Sequence, residues 1–521
     1  MKRYPLRSSV LWVRGLILAL LSVSLVALFT QDAYAQVRFV RGYRIQLLNA
    51  ARSVQQTSDG GYIVAGWTSY PGGFDSDILL IKTDANGDVQ WAKTYGGIGW
   101  EEAHSVQQTS DGGYIVAGWT SSFGAGDNDV LLVKTDVFGN VQWAKTYGGT
   151  DNDRAFSVQQ TSDGGYIVAG WTSSFGAGGD ILLIKTDENG NLQWAKTYGG
   201  TDSDWAFSVQ QTSGGGYIVA GWTRSFGAGD NDVLLVKTDA FGNVQWAKTY
   251  GGTGDDRAFS VQQTSGGGYI VAGNTYSFGV GDNDVFLIKT NASGNLQWAK
   301  IYGEVGYDEA YSVQQTSDGG YIVAGATYSL GAGNFLIKTD ANGNLQWAKT
   351  YGGTGGESAN SVRQTSDGGY IVAGGTYYRV VLIKTDENGD IGSCSIVSSV
   401  IPTLGIISPT VDVASPSVSS PSLSVNPVSL TDASPSLTIL IPCPSTISES
   451  CQIASGLITP YKGGIKVSGS GELEVKVYNV SGGIVKSLKG KDEVKLELSR
   501  GVYFVEVISG GKVLREKVVV R

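Results

Sequence analysis

The chain has 521 residues, 75 of them glycine and only 11 proline, with a formal charge of −9. That length exceeds one ordinary compact domain, and glycine without matching proline excludes a collagen-like chain. The negative balance excludes nucleic-acid binding by bulk electrostatics.

The first element is a targeting segment. Lys2, Arg3, Arg7 and Arg14 precede the apolar run GLILALLSVSLVALF, residues 15–29, and Ala33-Tyr34-Ala35 supplies an A-x-A cleavage site. Residues 1–35 therefore read as a signal peptide. An uncleaved anchor is the alternative, but the run falls short of the ~20 apolar residues of a spanning helix. No stable transmembrane anchor is expected after cleavage, and Gln36 in place of Cys argues against a lipoprotein.

A repeat follows. SVQQT-type motifs begin at Ser53, Ser105, Ser157, Ser208, Ser260, Ser312 and Ser361, spaced by 52, 52, 51, 52, 52 and 49 residues. A period near 50 with four strand-like runs per unit predicts a β-propeller. In the second unit the runs are HSVQQT, GYIVAGWT, DVLLVKTD and VQWAKTYGG, separated by Gly, Asp, Asn and Ser clusters that punctuate antiparallel strands. GYIVAG and DVLLV are apolar on both faces, as in blades stacked face to face. SVQQT suits an innermost strand beside a solvated channel. VQWAKTY alternates and is placed outermost.

Residues 37–43, VRFVRGY, precede the first unit. They align with VQWAKTY, Phe39 on Trp and Tyr43 on Tyr, and Tyr43 stands ten residues before Ser53 as Tyr95 does before Ser105. The seventh unit has only three runs and then continues into IGSCSIVSSV. Residues 37–43 are therefore expected to be the missing fourth strand of the seventh blade, closing the ring and removing two open sheet edges.

The segment KTDANGNLQWAKTYGG, residues 338–353, resembles the tryptophan-docking repeat of quinoprotein-like β-propellers. The resemblance implies that Trp91, Trp143, Trp194, Trp246, Trp298 and Trp347, with Phe39 in seventh place, pack between blades. Whole units are also similar to TSDGGYIVAG-type repeats of exported prokaryotic proteins. Neither resemblance carries a catalytic site onto this chain.

Three sets of residues are candidates for function. After each VAG stands Trp67, Trp119, Trp171 or Trp222, then Asn274, Ala326 and Gly375, with Tyr276, Tyr328 and Tyr377 two residues later in those units. Positions two apart share a strand face, so these aromatics are either packing between blades or platforms for flat ligands such as sugars. Before the fixed Ala of the inner strand, near-identical units differ: Glu102, Arg154, Trp205, Arg257, Glu309 and Ser358. This is loop drift or a diversified binding surface. By connectivity this loop and the GDND loop leave the same face of the disc. The GDND loops place Asp127 and Asp129, Asp230 and Asp232, and Asp282 and Asp284 two apart; they are ordinary turns or, as oxygen-rich loops, ligands for calcium, the candidate cofactor. The Asp59, Asp111 and Asp163 turns read as hairpin chemistry.

Catalytic signatures are scarce. The chain holds one histidine, His104, where other units place Phe156, Phe207, Phe259 and Tyr311. Ser-His-Asp, Cys-His and multi-His metal sites are thereby excluded, and His104 reads as a packing position. Carboxylate-pair chemistry stays formally open, but the acidic residues recur in every unit as turns would.

Nine of the eleven prolines fall between Pro402 and Pro460. Residues 393–450 read as an extended Ser/Pro-rich linker without a core of its own. Cys443 and Cys451 are a candidate disulfide pair, leaving Cys394 free or joined to another chain. In residues 451–521 the runs VYNVSGGIVKSL, SRGVYFVEV and EKVVVR resemble the type A C-terminal sorting domain of type IX secretion. That resemblance implies a small β-sandwich that engages the secretion machinery; an accessory stalk domain is the plainer alternative.

The expected protein is all-β: a seven-bladed β-propeller over residues 36–392 closed by an N-terminal strand, a Ser/Pro-rich linker, and a small C-terminal β-sandwich. The expected role is a secreted or cell-surface, non-enzymatic, multivalent binding or adhesion module for a glycan or an extracellular protein. The alternatives are an enzyme with a central-channel pocket, polysaccharide-degrading or quinoprotein-like, and a purely structural surface component.

Overall fold

The computed structural model describes residues 37–392 apart from 45–47, 70–74, 330–332, 353–356 and 377–378, together with the C-terminal strands given below. The expected signal peptide and the three cysteines lie outside the described residues.

Each repeat forms one antiparallel blade. In the second, Glu101–Gln108, Tyr114–Thr120, Asp129–Thr135 and Val141–Gly148 pair in sequence order. The second and third strands are buried at every position, because neighbouring blades cover both faces of the sheet. Between the second and third blades, Ile115, Ala117 and Leu132 pack with Tyr166, Val168 and Ile184. Comparable cores fill the other junctions, including the one between the seventh blade and the first.

The opening segment is a working strand. Phe39–Arg44 pairs antiparallel with Arg379–Thr385 and completes the seventh blade. Phe39 stands opposite Lys384, as Trp91 stands opposite Lys82. Phe39 is buried and meets the Tyr62 ring edge-on at 6.1 Å. The six docking tryptophans meet Tyr114, Tyr166, Tyr217, Tyr269, Tyr321 and Tyr370 of the following blade at 5.8–6.0 Å. The tyrosine ending each fourth strand adds a polar tie: Tyr43, Tyr95, Tyr147, Tyr198, Tyr250, Tyr302 and Tyr351 each donate to a glycine carbonyl in the next blade at 2.5–2.7 Å. Gly139, one of those acceptors, has φ of 76° and lies so close to Trp91 that a Cβ would sit 2.9 Å from the ring. Only glycine meets both demands.

The linker expected over residues 393–450 is corrected by the structure. The segment is extended, but it runs around the propeller and gives each blade a fifth strand. Val397–Ser399 pairs with the sixth blade, Thr403–Ile407 with the fifth, Thr410–Val413 with the fourth, and Ser417–Ser419 with the third. Ser424–Pro427, Thr431–Ala433 and Thr438–Leu440 then pair with the second, first and seventh. VQWAKTY is therefore the fourth of five strands, not the outermost. The physical reason is the row of unpaired N–H and C=O groups that seven open blade edges would expose; a chain too poor in large apolar residues to build a core can still satisfy them.

Ile458–Tyr461, Gly464–Tyr478, Ile484–Glu497, Gly501–Ser509 and Lys512–Val520 form one antiparallel hydrogen-bonded set. Among the described residues of this set, Val467, Val475, Val477, Val494, Leu496 and Val505 are buried.

Candidate functional site

The seven inner strands surround a channel, and their repeated Ser-Val-Gln sequence converts into rings of hydrogen bonds. Each motif serine accepts from the valine N–H of the next blade: Ser361 from Val54, Ser53 from Val106, and so on through Ser312 from Val362, at 3.1–3.2 Å. That ring is complete across the closure. A second ring joins the first glutamine of each motif to the next blade: Gln108 N–H donates to Gln55 Oε1, and five equivalents follow at 2.5–2.6 Å. The seventh position is Arg363, which has no acceptor to offer. Between these rings lies a cavity of about 510 Å³ lined by the Ser, Val and Gln residues.

Towards the GDND face the inner strands carry a β-bulge, with a shift of register around Phe156 and its equivalents. Bulges re-aim a side chain, and here the extra residues form a collar. His104, Phe156, Phe207, Phe259 and Tyr311 touch in succession, with ring centroids 4.9–5.7 Å apart. Arg52 and Asn360 hold the two remaining positions, and Asn360 Nδ2 donates to the Ala51 carbonyl at 2.7 Å. Burial pushes the His104 imidazolium down to about 3, with Arg52 and Arg154 adding repulsion, so the ring is neutral. This is the packing role expected for it.

The variable residues lie one step further out and are drawn together. Arg154 lies over the Trp119 ring of the preceding blade at 4.7 Å. Trp205 stacks on Trp171 of the preceding blade at 4.6 Å and 15°, and on Trp222, its cross-strand partner, at 5.7 Å and 17°. Arg257 then lies over Trp222 at 5.5 Å. Four tryptophans and two arginines from blades two to five, joined where Arg154 stands opposite Trp171 on the neighbouring strand, thus form a continuous arc around the mouth. Glu102 sits near Arg52 and Arg154, while burial pushes its carboxyl above the ordinary range. Glu309 accepts from Asn283 Nδ2 at 3.1 Å and from the Tyr311 hydroxyl. Trp67 occupies the equivalent place in the first blade, opposite Ala50. Tyr276 and Tyr328 are exposed just beyond their strands, and Tyr377 lies outside the described residues.

The acidic triplets divide. Asp127, Asp230 and Asp282 are exposed, whereas Asp129, Asp232 and Asp284 are buried. The buried members face the next blade's inner strand: a Cβ on Gly148 would meet Asp129 Oδ1 at 1.9 Å and Asp153 Oδ2 at 2.7 Å. Asp180 and Asp204, Asp232 and Asp256, and Asp284 and Asp308 repeat the pairing. Burial and the partner carboxylate raise Asp180 and Asp284 to about 7. Among the described residues no three His, Cys, Asp or Glu side chains gather as a metal site. The middle Asn of each triplet, which carried no expectation, bridges to the loop of the following blade: Asn128 to Asn152, Asn231 to Asp255 and Asn283 to Glu309. The GDND loop and the variable loop do share one face, where Asp153 N–H donates to the Asn128 carbonyl at 2.7 Å.

Comparison with known proteins adds to this picture. Residues 459–521 match the secretion system C-terminal sorting domain. The chain is 29% identical over 218 residues to the regulatory protein FlaEY of Caulobacter vibrioides, covering 38% of this chain and 21% of that one. It thus spans about a fifth of the length of that curated relative. Among solved structures, the WD40 beta propeller domain of Doa1 is similar at 15% identity and a TM-score of 0.42, covering 66% of this chain and 98% of that one. Sqt1 from Chaetomium thermophilum is similar at 10% identity and a TM-score of 0.41, over 66% and 98%. A protein of unknown function from Dyadobacter fermentans is similar at 12% identity and a TM-score of 0.37, over 67% and 99%. Among the described residues no helix is long and apolar enough to cross a membrane.

Proposed function

We infer that the protein is secreted or displayed at the cell surface and engages the type IX secretion machinery through its C-terminal sorting domain. We propose that the propeller is a non-enzymatic binding module whose ligand docks on the GDND face, against the arc of Arg154, Trp171, Trp205, Trp222 and Arg257, with the buried Trp119 supporting Arg154 from beneath. The observation that carries this reading is the continuity of the arc. Three residues at which near-identical blades differ, Arg154, Trp205 and Arg257, each lie against the repeated tryptophan of the preceding blade around one mouth. Aromatic faces and guanidinium planes together favour a flat or carbohydrate-like ligand with polar edges, whether on a glycan or on an extracellular protein. Because adjacent blades share the arc, the geometry supports one composite site rather than several equal ones. His104 is half-buried, and with its imidazolium pushed down to about 3 it is too weak a general base near neutral pH, which supports binding over His-based catalysis at this mouth.

The test is a glycan and extracellular-protein binding screen on the mature full-length chain, with calcium and with a chelator. Saturable binding at about one equivalent, lost in Trp205→Ala, is the expected result. Binding that survives both Trp205→Ala and Arg257→Ala would remove the arc from the reading.

A further inference from the structure

The channel cavity is chemically one-sided. Each first glutamine of the motif uses its amide oxygen to accept the next blade's N–H, and that assignment is forced because a backbone N–H can only donate. The amino ends of those glutamines are left to the cavity. Serine hydroxyls and valine methyls supply the rest of the lining, with a single charged group, Arg363. Its Nη1 donates to the Val362 carbonyl at 3.0 Å, and among the described residues no carboxylate pairs with it. A guanidinium carries five N–H donors and no acceptor. A half-buried cation amid amide donors, in a chain whose net charge is −9, thus finds no charge complement among the described residues.

We propose that the central cavity binds an oxyanion (a carboxylate, sulfate or phosphate group), held by Arg363 with the amides of Gln55 and Gln314 from the flanking blades. The planar fork of the guanidinium matches such a group in a bidentate way. The site lies beyond the aromatic collar from the tryptophan arc, and it stands whether or not the arc binds a ligand. It is also single: the other six blades place glutamine at this position, so one anion per chain is expected.

The test uses the mature full-length chain and follows its melting temperature against sodium sulfate, phosphate and D-glucuronate, each compared with chloride at matched ionic strength. A saturable rise specific to an oxyanion is expected, since a ligand that binds only the folded state stabilises it by mass action. Response to sulfate and phosphate points to free inorganic anions; response to glucuronate alone points to the acidic group of a sugar. Arg363→Gln installs the residue of the other blades and lets position 363 accept from Gln56 N–H, so it should fold at least as well as the parent in chloride. Its apparent affinity for the responding anion should fall at least tenfold. No oxyanion-specific shift in the parent, or an undiminished shift in Arg363→Gln, would overturn the proposal.

Discussion

Two units of this protein lack an ion pair that five others possess, and restoring it is a direct test of how a blade is held. In the first, second, third, sixth and seventh blades the S-D-G-G turn carries an aspartate that meets the buried lysine of the third strand at 2.8–2.9 Å: Asp59 with Lys82, Asp111 with Lys134, Asp163 with Lys185, Asp318 with Lys338, and Asp367 with Lys384. The same carboxylate accepts a turn N–H, Gly61 onto Asp59 at 3.1 Å. In the fourth and fifth blades the aspartate is Gly214 or Gly266. Lys237 is then only 8% exposed without that carboxylate, and burial depresses its pKa. Gly214→Asp should repair the blade. A Cβ at Gly214 meets nothing within 4 Å, and its φ lies outside the left-handed region.

The gain divides into three parts. The carboxylates of the existing pairs are about half exposed, 52% for Asp59, so the pair itself is worth about 0.5–1 kcal/mol. The turn hydrogen bond adds about 0.5–1 kcal/mol. Replacing glycine where the backbone tolerates a side chain adds about 0.4–1 kcal/mol through the unfolded state. The total is roughly 1.4–3 kcal/mol, measured by urea denaturation with tryptophan fluorescence. Gly214→Ala isolates the last part, so the aspartate should exceed alanine by about 1–2 kcal/mol. Existing turn aspartates have pKa values lowered by hydrogen bonds and by their lysines against the opposing effect of burial. A lowered folded pKa means that the surplus is present above the unfolded value near 4 and is lost as pH falls through the folded one. A surplus that vanishes at neutral pH, or that survives unchanged in a Lys237→Met background, would refute the reasoning.

Other perturbations follow from the same structure. Deleting residues 37–43 removes the fourth strand of the seventh blade and should lower the melting temperature of the entire propeller; an unchanged transition would mean that Phe39–Arg44 does not close the ring. Trp194→Ala should cost about 2–4 kcal/mol, below a fully buried tryptophan because the ring is only half-buried, and a loss near zero in denaturation would deny it a docking role. Asp180 has a raised pKa, so its contribution is complete below the unfolded value near 4 and is lost as pH climbs towards 7. Asp180→Asn should therefore flatten the decline in melting temperature between those limits. The same scan with calcium shows whether a cation replaces the proton between Asp180 and Asp204. Ending the chain at residue 392 should leave seven blade edges open and cause concentration-dependent association in light scattering; a chain that stays monomeric would deny the fifth strands a protective role.

Much of this fold was legible because the units repeat. The period, the four runs and the intact register of residues 37–43 were enough to place seven blades and their closure. The docking aromatics were legible for the same reason, Phe39 included. The belt was not, since its short Ser/Pro-rich runs carry no alternation; they are strands only because blade edges offer partners. The candidate site was legible in its residue types but not in its assembly. Trp171, Trp205 and Arg257 are scattered over three units, and only the curvature of the ring stacks them. The acidic triplets misled in another way: spacing alone cannot show that Asp129 turns inward to Asp153 while Asp127 faces solvent.

In a ring of near-identical blades, the symmetric positions are committed to closing hydrogen-bond rings and junction cores, and any substitution there is felt at an interface. Departures from the repeat are therefore the informative residues, and they fall into two kinds. Some are compensated: Glu357 has Arg379 at 2.9 Å where the preceding blade offers Gly333 in place of a carboxylate, and Asn49 accepts from Thr68 where the seventh blade begins its third strand with Arg379. These departures preserve the junction. Others change what a position offers: Trp205 inserts an indole between Trp171 and Trp222 where neighbouring units carry arginine, and Arg363 interrupts the glutamine ring with a cation that no carboxylate meets among the described residues. A junction that had merely drifted would lose stability without gaining a site. Both of these residues instead lie at the channel or its mouth, where a ligand can reach them.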